Sequence, residues 1–154
     1  RETVQLGIQV GDEGVIIEQV SGLHPLRIAV DIGLRFPLHN NAPGKVLLAY
    51  QSPRERAATL NRIPLTADTP RTLTKPAALQ TECTKVLNRG YATDHAEADE
   101  GIHCVAAPVT GPEGKLIAVL WVSAPAKRLP KSMFASMGAQ VIDCAEQING
   151  GLQP

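Results

Sequence analysis

The residue types most able to bind or react are concentrated in Asp94-His95-Ala96-Glu97-Ala98-Asp99-Glu100-Gly101-Ile102-His103-Cys104, where carboxylates, imidazoles and a thiol fall within eleven positions. A metal site uses these side chains, but the spacing of His95 and His103 matches no familiar zinc pattern, and an acidic loop between strands is solvated at no cost. No metal and no cofactor is expected. A second segment, His39-Asn40-Asn41-Ala42-Pro43-Gly44-Lys45, places small residues where a helix begins. Backbone amides and the helix dipole there suit an anion such as a carboxylate; simple helix initiation is the competing reading. Cys104 is followed by Val105-Ala106-Ala107 and has no evident base, so it reads as a buried small residue rather than a nucleophile. Cys83 and Cys144 fall on helical faces and read as core. Phosphate-binding loops, G-x-S-x-G, H-E-x-x-H and dinucleotide fingerprints are missing, which removes the cheapest evidence for most enzyme classes.

The elements that must position these groups follow from periodicity. Val4, Leu6, Ile8 and Val10 alternate as in a half-buried strand, Gly11-Asp12-Glu13-Gly14 interrupts them, and Val15 to Val20 forms the second arm of a hairpin. Leu26, Ile28 and Val30 predict a third strand ending near Gly33, followed by a loop over 34–40. A short helix capped by Asn41 is expected over 42–50. Ser52-Pro53-Arg54-Glu55 is a capping box opening a second helix that runs to about Arg62. After a polar loop bracketed by Pro64 and Pro70, Thr74 is expected to cap a third helix in which Leu79, Cys83, Val86 and Leu87 share a face, with Gly90 as its stop. Strands are then predicted over 91–95, 102–109 and 116–123. Met133, Met137, Val141, Ala145 and Ile148 predict a closing amphipathic helix over 131–149. Successive hairpins with helices between them argue for an antiparallel sheet covered by helices, an α+β fold.

Composition bounds the partners. The chain has 154 residues, 44% hydrophobic and 19% charged, a length at which one core buries roughly two-thirds of the unfolded surface. Fifteen basic residues balance fifteen acidic ones, so the basic footprint of a nucleic-acid groove is lacking. Five aromatics (Phe36, Tyr50, Tyr91, Trp121 and Phe134) are too few for a base-stacking platform. Three separated cysteines argue against a disulfide framework and for a reducing, cytoplasmic setting. The longest apolar runs fall well short of the ~20 residues that span a bilayer, so no membrane partner is expected. The abrupt start at Arg1, directly on a strand pattern, is expected of an excised fragment.

One set of residues carries a resemblance. Gly90, Asp94, Glu97, Cys104-Val105-Ala106 and Val109, at these intervals, resemble the signature of the IclR family of bacterial transcriptional regulators. Glu2-Thr3-Val4-Gln5-Leu6, Pro37-Leu38-His39, Gly44-Lys45-Val46-Leu47-Leu48-Ala49, Arg89-Gly90-Tyr91 and Val122-Ser123-Ala124-Pro125 agree with it in order, over residues 2–149. The resemblance implies a single GAF-like effector-binding domain over 1–154, with an antiparallel sheet of about six strands flanked by helices. It further implies an N-terminal winged helix-turn-helix domain, absent from this fragment, through which alone DNA would be contacted. Family members are dimers or tetramers in which a ligand alters operator binding or polymerase recruitment, without catalysis.

The same resemblance implies a pocket. The amides of Asn41, Ala42, Pro43 and Gly44 would hold a ligand carboxylate, although Pro43 has no N–H to give. Asp94, Cys104 and Ser123 match polar pocket positions, and Ile28, Phe36 and Ile102 would form an apolar wall. Trp121, on the same strand face as Ser123, either fills the pocket or offers an aromatic ligand a flat wall. An ionised Asp94 would repel a bare carboxylate, which predicts a hydroxylated or amide-bearing organic acid. Two other classes remain open: a GAF-like redox enzyme using its cysteines, and a pure oligomerisation module.

Overall fold

The computed structural model describes residues 2–151; Arg1 and residues 152–154, included in the expected domain, lie outside the described residues. Six strands form one sheet in the order β3-β2-β1-β6-β5-β4, with every neighbouring pair antiparallel. They are β1 (Thr3–Val10), β2 (Glu13–Val20), β3 (Arg35–Pro37), β4 (Ala92–His95), β5 (Ile102–Thr110) and β6 (Leu116–Pro125). Helices α1 (Ala42–Ala49), α2 (Pro53–Arg62) and α3 (Pro76–Arg89) separate β3 from β4, and α4 (Phe134–Gly151) closes the chain. This is the expected α+β architecture.

Local chemistry explains the boundaries. Asn41 Oδ1 accepts the Gly44 N–H at 2.8 Å and starts α1, and the Ser52–Glu55 capping box starts α2. Gly90, at φ +81°, ends α3 in the left-handed conformation that glycine adopts without strain. At the other end of α3 the expectation fails. The cap residue is Lys75, without a side-chain bond, because Pro76 fixes the first helical φ two positions after Thr74. Likewise α4 proper begins at Phe134, after a 3-10 turn over Lys131–Met133 that leaves Met133 exposed.

The third strand is also displaced. Leu26, Ile28 and Val30 alternate but do not pair; β3 is the three-residue edge strand Arg35–Pro37, inside the segment expected to be loop. Side chains from β1, β2 and the segment after β6 claim the backbone of residues 22–30 instead. Thr3 Oγ1 donates to the Ile28 carbonyl and accepts the Gly22 N–H, Gln19 Oε1 accepts the Val30 N–H, and Arg128 donates to the Leu26 carbonyl. Phe36 can pair at the edge because it faces Gly14, where an added Cβ would sit 2.1 Å from its ring.

The two sheet faces carry separate cores. On the front, α1 lies between the sheet and α3 with all eight of its residues buried, so even Lys45 is enclosed. The close approach depends on Gly44, whose Cβ would fall 2.6 Å from the Leu38 carbonyl oxygen. On the back, Val141 and Ala145 of α4 pack on Ala107, Val109, Leu120 and Val122. Cys144, expected in that core, is exposed, on the flank of α4 that borders an open groove towards β1.

Candidate functional site

A cavity of about 210 Å³ opens on the front of the sheet, between β1, β5 and β6 below and the 28–43 segment above. Nine of the eleven residues singled out from the sequence line it: Ile28, Phe36, Asn41, Pro43, Asp94, Ile102, Cys104, Trp121 and Ser123. Ala42 and Gly44 do not. Ala42 is fully buried in the front core, and the Gly44 amide is spent on Asn41 Oδ1. The Lys45 amide bonds the Asn41 carbonyl, so helix initiation consumes the amides of Gly44 and Lys45.

The floor is built by register. Asp94 on β4 pairs with Cys104 on β5, which pairs with Ser123 on β6, so the three side chains form a row across adjacent strands. Cys104 Sγ lies 3.3 Å from Ser123 Oγ, and that hydroxyl donates to Gln5 Oε1 at 2.8 Å. Gln5 Nε2 donates to Gln19 Oε1 at 3.1 Å, which also receives the Val30 amide. A continuous chain of hydrogen bonds thus links the floor to the segment forming the opposite wall. Trp121 occupies the next position on this face, 3% exposed, with its ring centroid 5.5 Å from that of Phe36 in an edge-on contact. The indole lies against Gly7, where a Cβ would approach to 3.0 Å.

Asp94 is 1% exposed. One of its oxygens accepts the Glu97 N–H at 2.7 Å. Burial, above all, and the adjacent Glu97 carboxylate push its carboxyl up to about 7, against the opposing pull of the Glu97 amide and the Lys45 ammonium. Burial and Asp94 push the Cys104 thiol up to about 12, and burial pushes Cys83 up to about 11. Neither is a thiolate near neutrality.

Behind Asp94, Lys45 Nζ contacts both oxygens of Glu97, at 2.6 and 2.8 Å, in an ion pair buried between α1 and the turn after β4. Ala96 makes that turn at φ +61°, with its carbonyl held by Thr69 Oγ1 at 2.7 Å. The resemblance had quoted Lys45 and Glu97 without giving either a role. Gln5, Ile16, Val30, Leu34, Pro37, Asn40 and Ala98 also line the cavity and were missed. For Gln5 the signal was its place in the alternation with Thr3, which faces away from Val4 and Leu6.

Other concavities carry less chemistry. A groove of about 250 Å³ between α4 and β1 is lined by Val4, Leu120, Met137 and Cys144 and is mostly apolar. His95 and His103 lie edge to face at 4.8 Å, with His103 Nδ1 bonded to the Leu129 carbonyl. Among the described residues, no three His, Cys, Asp or Glu side chains are placed to share a metal ion, and no helix is long and apolar enough to cross a membrane.

Comparison with known proteins agrees with this architecture. The family described as bacterial transcriptional regulator IclR C-terminal matches residues 1–150. The HTH-type transcriptional regulator BhcR of Paracoccus denitrificans is 34% identical over 153 residues, covering 99% of this chain and 55% of that protein. XynR of Escherichia coli is 36% identical, covering 91% of this chain and 56% of its own. The chain therefore spans about half the length of the curated relatives it matches. Among solved structures, Thermotoga maritima IclR superposes with a TM-score of 0.89 at 33% identity, covering 98% of this chain and 61% of that one. The C-terminal domain of E. coli KdgR gives 0.85 at 32%, covering 97% and 86%. On the family match and these relatives together, the chain belongs to the IclR family of bacterial transcriptional regulators and corresponds to their C-terminal, effector-binding part.

Proposed function

We propose that this chain is the sensing domain of a longer transcription regulator, and that its effector is a small organic molecule held over the Asp94–Cys104–Ser123 row. The observation that carries the proposal is a mostly apolar cavity whose few polar groups converge on one floor, the usual form of a small-molecule site. Its size lies between the ~150 Å³ of a cavity that binds benzene and the ~300 Å³ at which ordinary ligand sites begin, which suits a single ring or a short chain. An organic acid fits only if it also presents a hydroxyl or amide to Asp94. Binding rather than catalysis is favoured, because Cys83 and Cys104 are held as thiols and Cys144 lies on the opposite face of the sheet.

In the intact regulator, contact with DNA falls to a winged helix-turn-helix domain preceding this one, since the chain itself is neutral. The regulator works as a dimer or tetramer in the cytoplasm. Ligand occupancy reaches the rest of the protein through the segment over the cavity, which is tied to the floor by Gln5 and Gln19. Thermal-shift screening of small organic compounds tests the sensing role, because a ligand at one hundred times its Kd adds about 2.7 kcal/mol. Calorimetry on Asp94→Ala and Ser123→Ala tests the site. Effector affinity unchanged in both would refute it.

A further inference from the structure

We infer a second ligand site, separate from the front cavity: the edge of the sheet at β4 takes a doubly charged oxyanion, free or carried on a small molecule, between Arg71, His95 and His103. A cavity of about 440 Å³ opens there, lined by these three side chains, by Thr69 and by Glu100. Asp94 and Cys104 turn to the front cavity, so their neighbours His95 and His103, a register pair on β4 and β5, turn the other way.

The surroundings hold these groups in place. Thr69 Oγ1 accepts the Arg71 N–H at 3.1 Å and donates to the Ala96 carbonyl at 2.7 Å, and Thr72 Oγ1 donates to the Glu97 carbonyl at 2.7 Å. The loop carrying Arg71 is thereby fastened to the turn after β4. His103 is 6% exposed, and Phe134 packs edge-on against it and against His95, with ring centroids at 5.4 and 5.7 Å. Its Nδ1 donates to the Leu129 carbonyl at 2.8 Å, which fixes the tautomer. Nε2 of this buried ring is left without a partner among the described residues.

The charges here lack a counterpart. Arg71 makes no ion pair among the described residues; its Nη1 lies 2.8 and 2.9 Å from the two ring nitrogens of His95, and its other guanidinium donors have no partner. That fork of donors matches the oxygens of a phosphate-type group. Lys131, at the start of the 3-10 turn before α4, adds a positive charge that acts on His95. Glu100, exposed on the turn between β4 and β5, is the only acidic side chain lining the cavity. Burial first, then Arg71, His103 and Lys131, hold the His95 imidazole below its usual range. An anion placed among these groups reverses that balance: it accepts from Arg71 and favours a proton on the imidazoles. Protonated, His103 Nε2 becomes a further donor into the cavity.

The probe is sulfate, which stays doubly charged where imidazoles titrate, added at constant ionic strength against chloride so that general screening cancels. The readout is the imidazole proton resonances of the four histidines, His24, His39, His95 and His103, on the unaltered chain. Sulfate is expected to shift His95 and His103 saturably while His24, His39 and the fluorescence of Trp121 stay unmoved. Binding should be tighter by about tenfold at about pH 6 than at about pH 8, with uptake of protons. Arg71→Gln, at an exposed position, should weaken it by about tenfold or more. Inorganic phosphate and glycerol phosphate then separate the two sources: equal affinities assign the site to the free anion, and tighter binding of the ester assigns it to a phosphorylated small molecule. Sulfate that moves all four histidines alike, that acts no differently from chloride, or that binds the Arg71→Gln chain as tightly as the parent overturns the inference. None of these outcomes touches the reading of the front cavity.

Discussion

Along β5 and β6 the two faces of the sheet are one residue apart and chemically opposite. Cys104, Ala106, Trp121 and Ser123 face the front, where Asp94, Gln5, Lys45 and Glu97 are also buried; Val105, Ala107, Leu120 and Val122 face the back. The back core under α4 is mainly apolar side chains in contact, with His103, bonded to the Leu129 carbonyl and edge-on to Phe134, as its buried polar group. The front buries ionised and hydrogen-bonding groups around a cavity, each of which needs a partner. The difference teaches which face can tolerate substitution: a change at the back costs packing, whereas a change at the front leaves a polar group or charge unpaired.

The largest effect should follow from Lys45→Met. It leaves Glu97 buried without its ammonium, and such a loss costs about 3–5 kcal/mol by chemical denaturation. A cost under about 1 kcal/mol would mean that the pair is not enclosed as the structure has it. Next, Trp121→Ala and Leu120→Ala compare neighbours on opposite faces. Trp121→Ala should cost about 3 kcal/mol, at the low end for a buried aromatic because it borders an existing cavity, and should weaken any ligand of that cavity. Leu120→Ala should cost about 2 kcal/mol and leave affinity unaltered. Equal effects of the two on binding would break the division between the faces.

Asp94→Asn reads the same contrast through pH. The Asp94 carboxyl sits at about 7 in the folded chain against 3.8 ordinarily, so between these values the folded state holds a proton that the unfolded state has released. Its contribution is full below about pH 4, falls as pH rises towards 7, and is level above that. Glu2, Asp12 and Glu55, lowered by Arg128, Arg62 and Ser52 respectively, act in the opposite sense and lose their contribution as pH falls. Denaturation of Asp94→Asn and the parent chain across pH 4–8 isolates the Asp94 share. The variant should gain relative stability towards pH 8, by on the order of 4 kcal/mol. A pH-independent difference would show that Asp94 ionises as freely folded as unfolded.

Much of the fold was legible because its signals are local. The alternation in β1, the caps at Asn41 and Ser52 and the stop at Gly90 each lie within a few residues of what they determine. The position of β3 was not, because its rival at 26–30 is held by Thr3, Gln19 and Arg128, contacts that no window of sequence contains. Asp94, Cys104, Trp121 and Ser123 line one cavity, and strand register explains why they lie together. Lys45 and Glu97, 52 positions apart, pair only once α1 packs beside β4, so their spacing carried no signal. Cys144 obeyed the helical period, but the period cannot say how wide a strip of α4 the sheet covers.

The smallest predicted effect bears on how rigidly the front is wired. Ser123→Ala removes the donor to Gln5 Oε1 and the oxygen beside Cys104 Sγ, while Gln5 keeps its bond to Gln19. An amide oxygen left without a donor in a buried site costs about 1 kcal/mol net. The matched control is Ser136→Ala on α4, whose hydroxyl donates to the Met133 carbonyl in the open, so water replaces it and the cost should be near zero. If the two substitutions cost the same, the Ser123 hydroxyl is already solvated through the cavity, and the link from floor to overlying segment is not a fixed one. If Ser123→Ala also speeds hydrogen exchange at the Val30 amide, which Gln19 holds, the chain of hydrogen bonds acts as a unit, and the floor and the opposite wall respond together to whatever occupies the space between them.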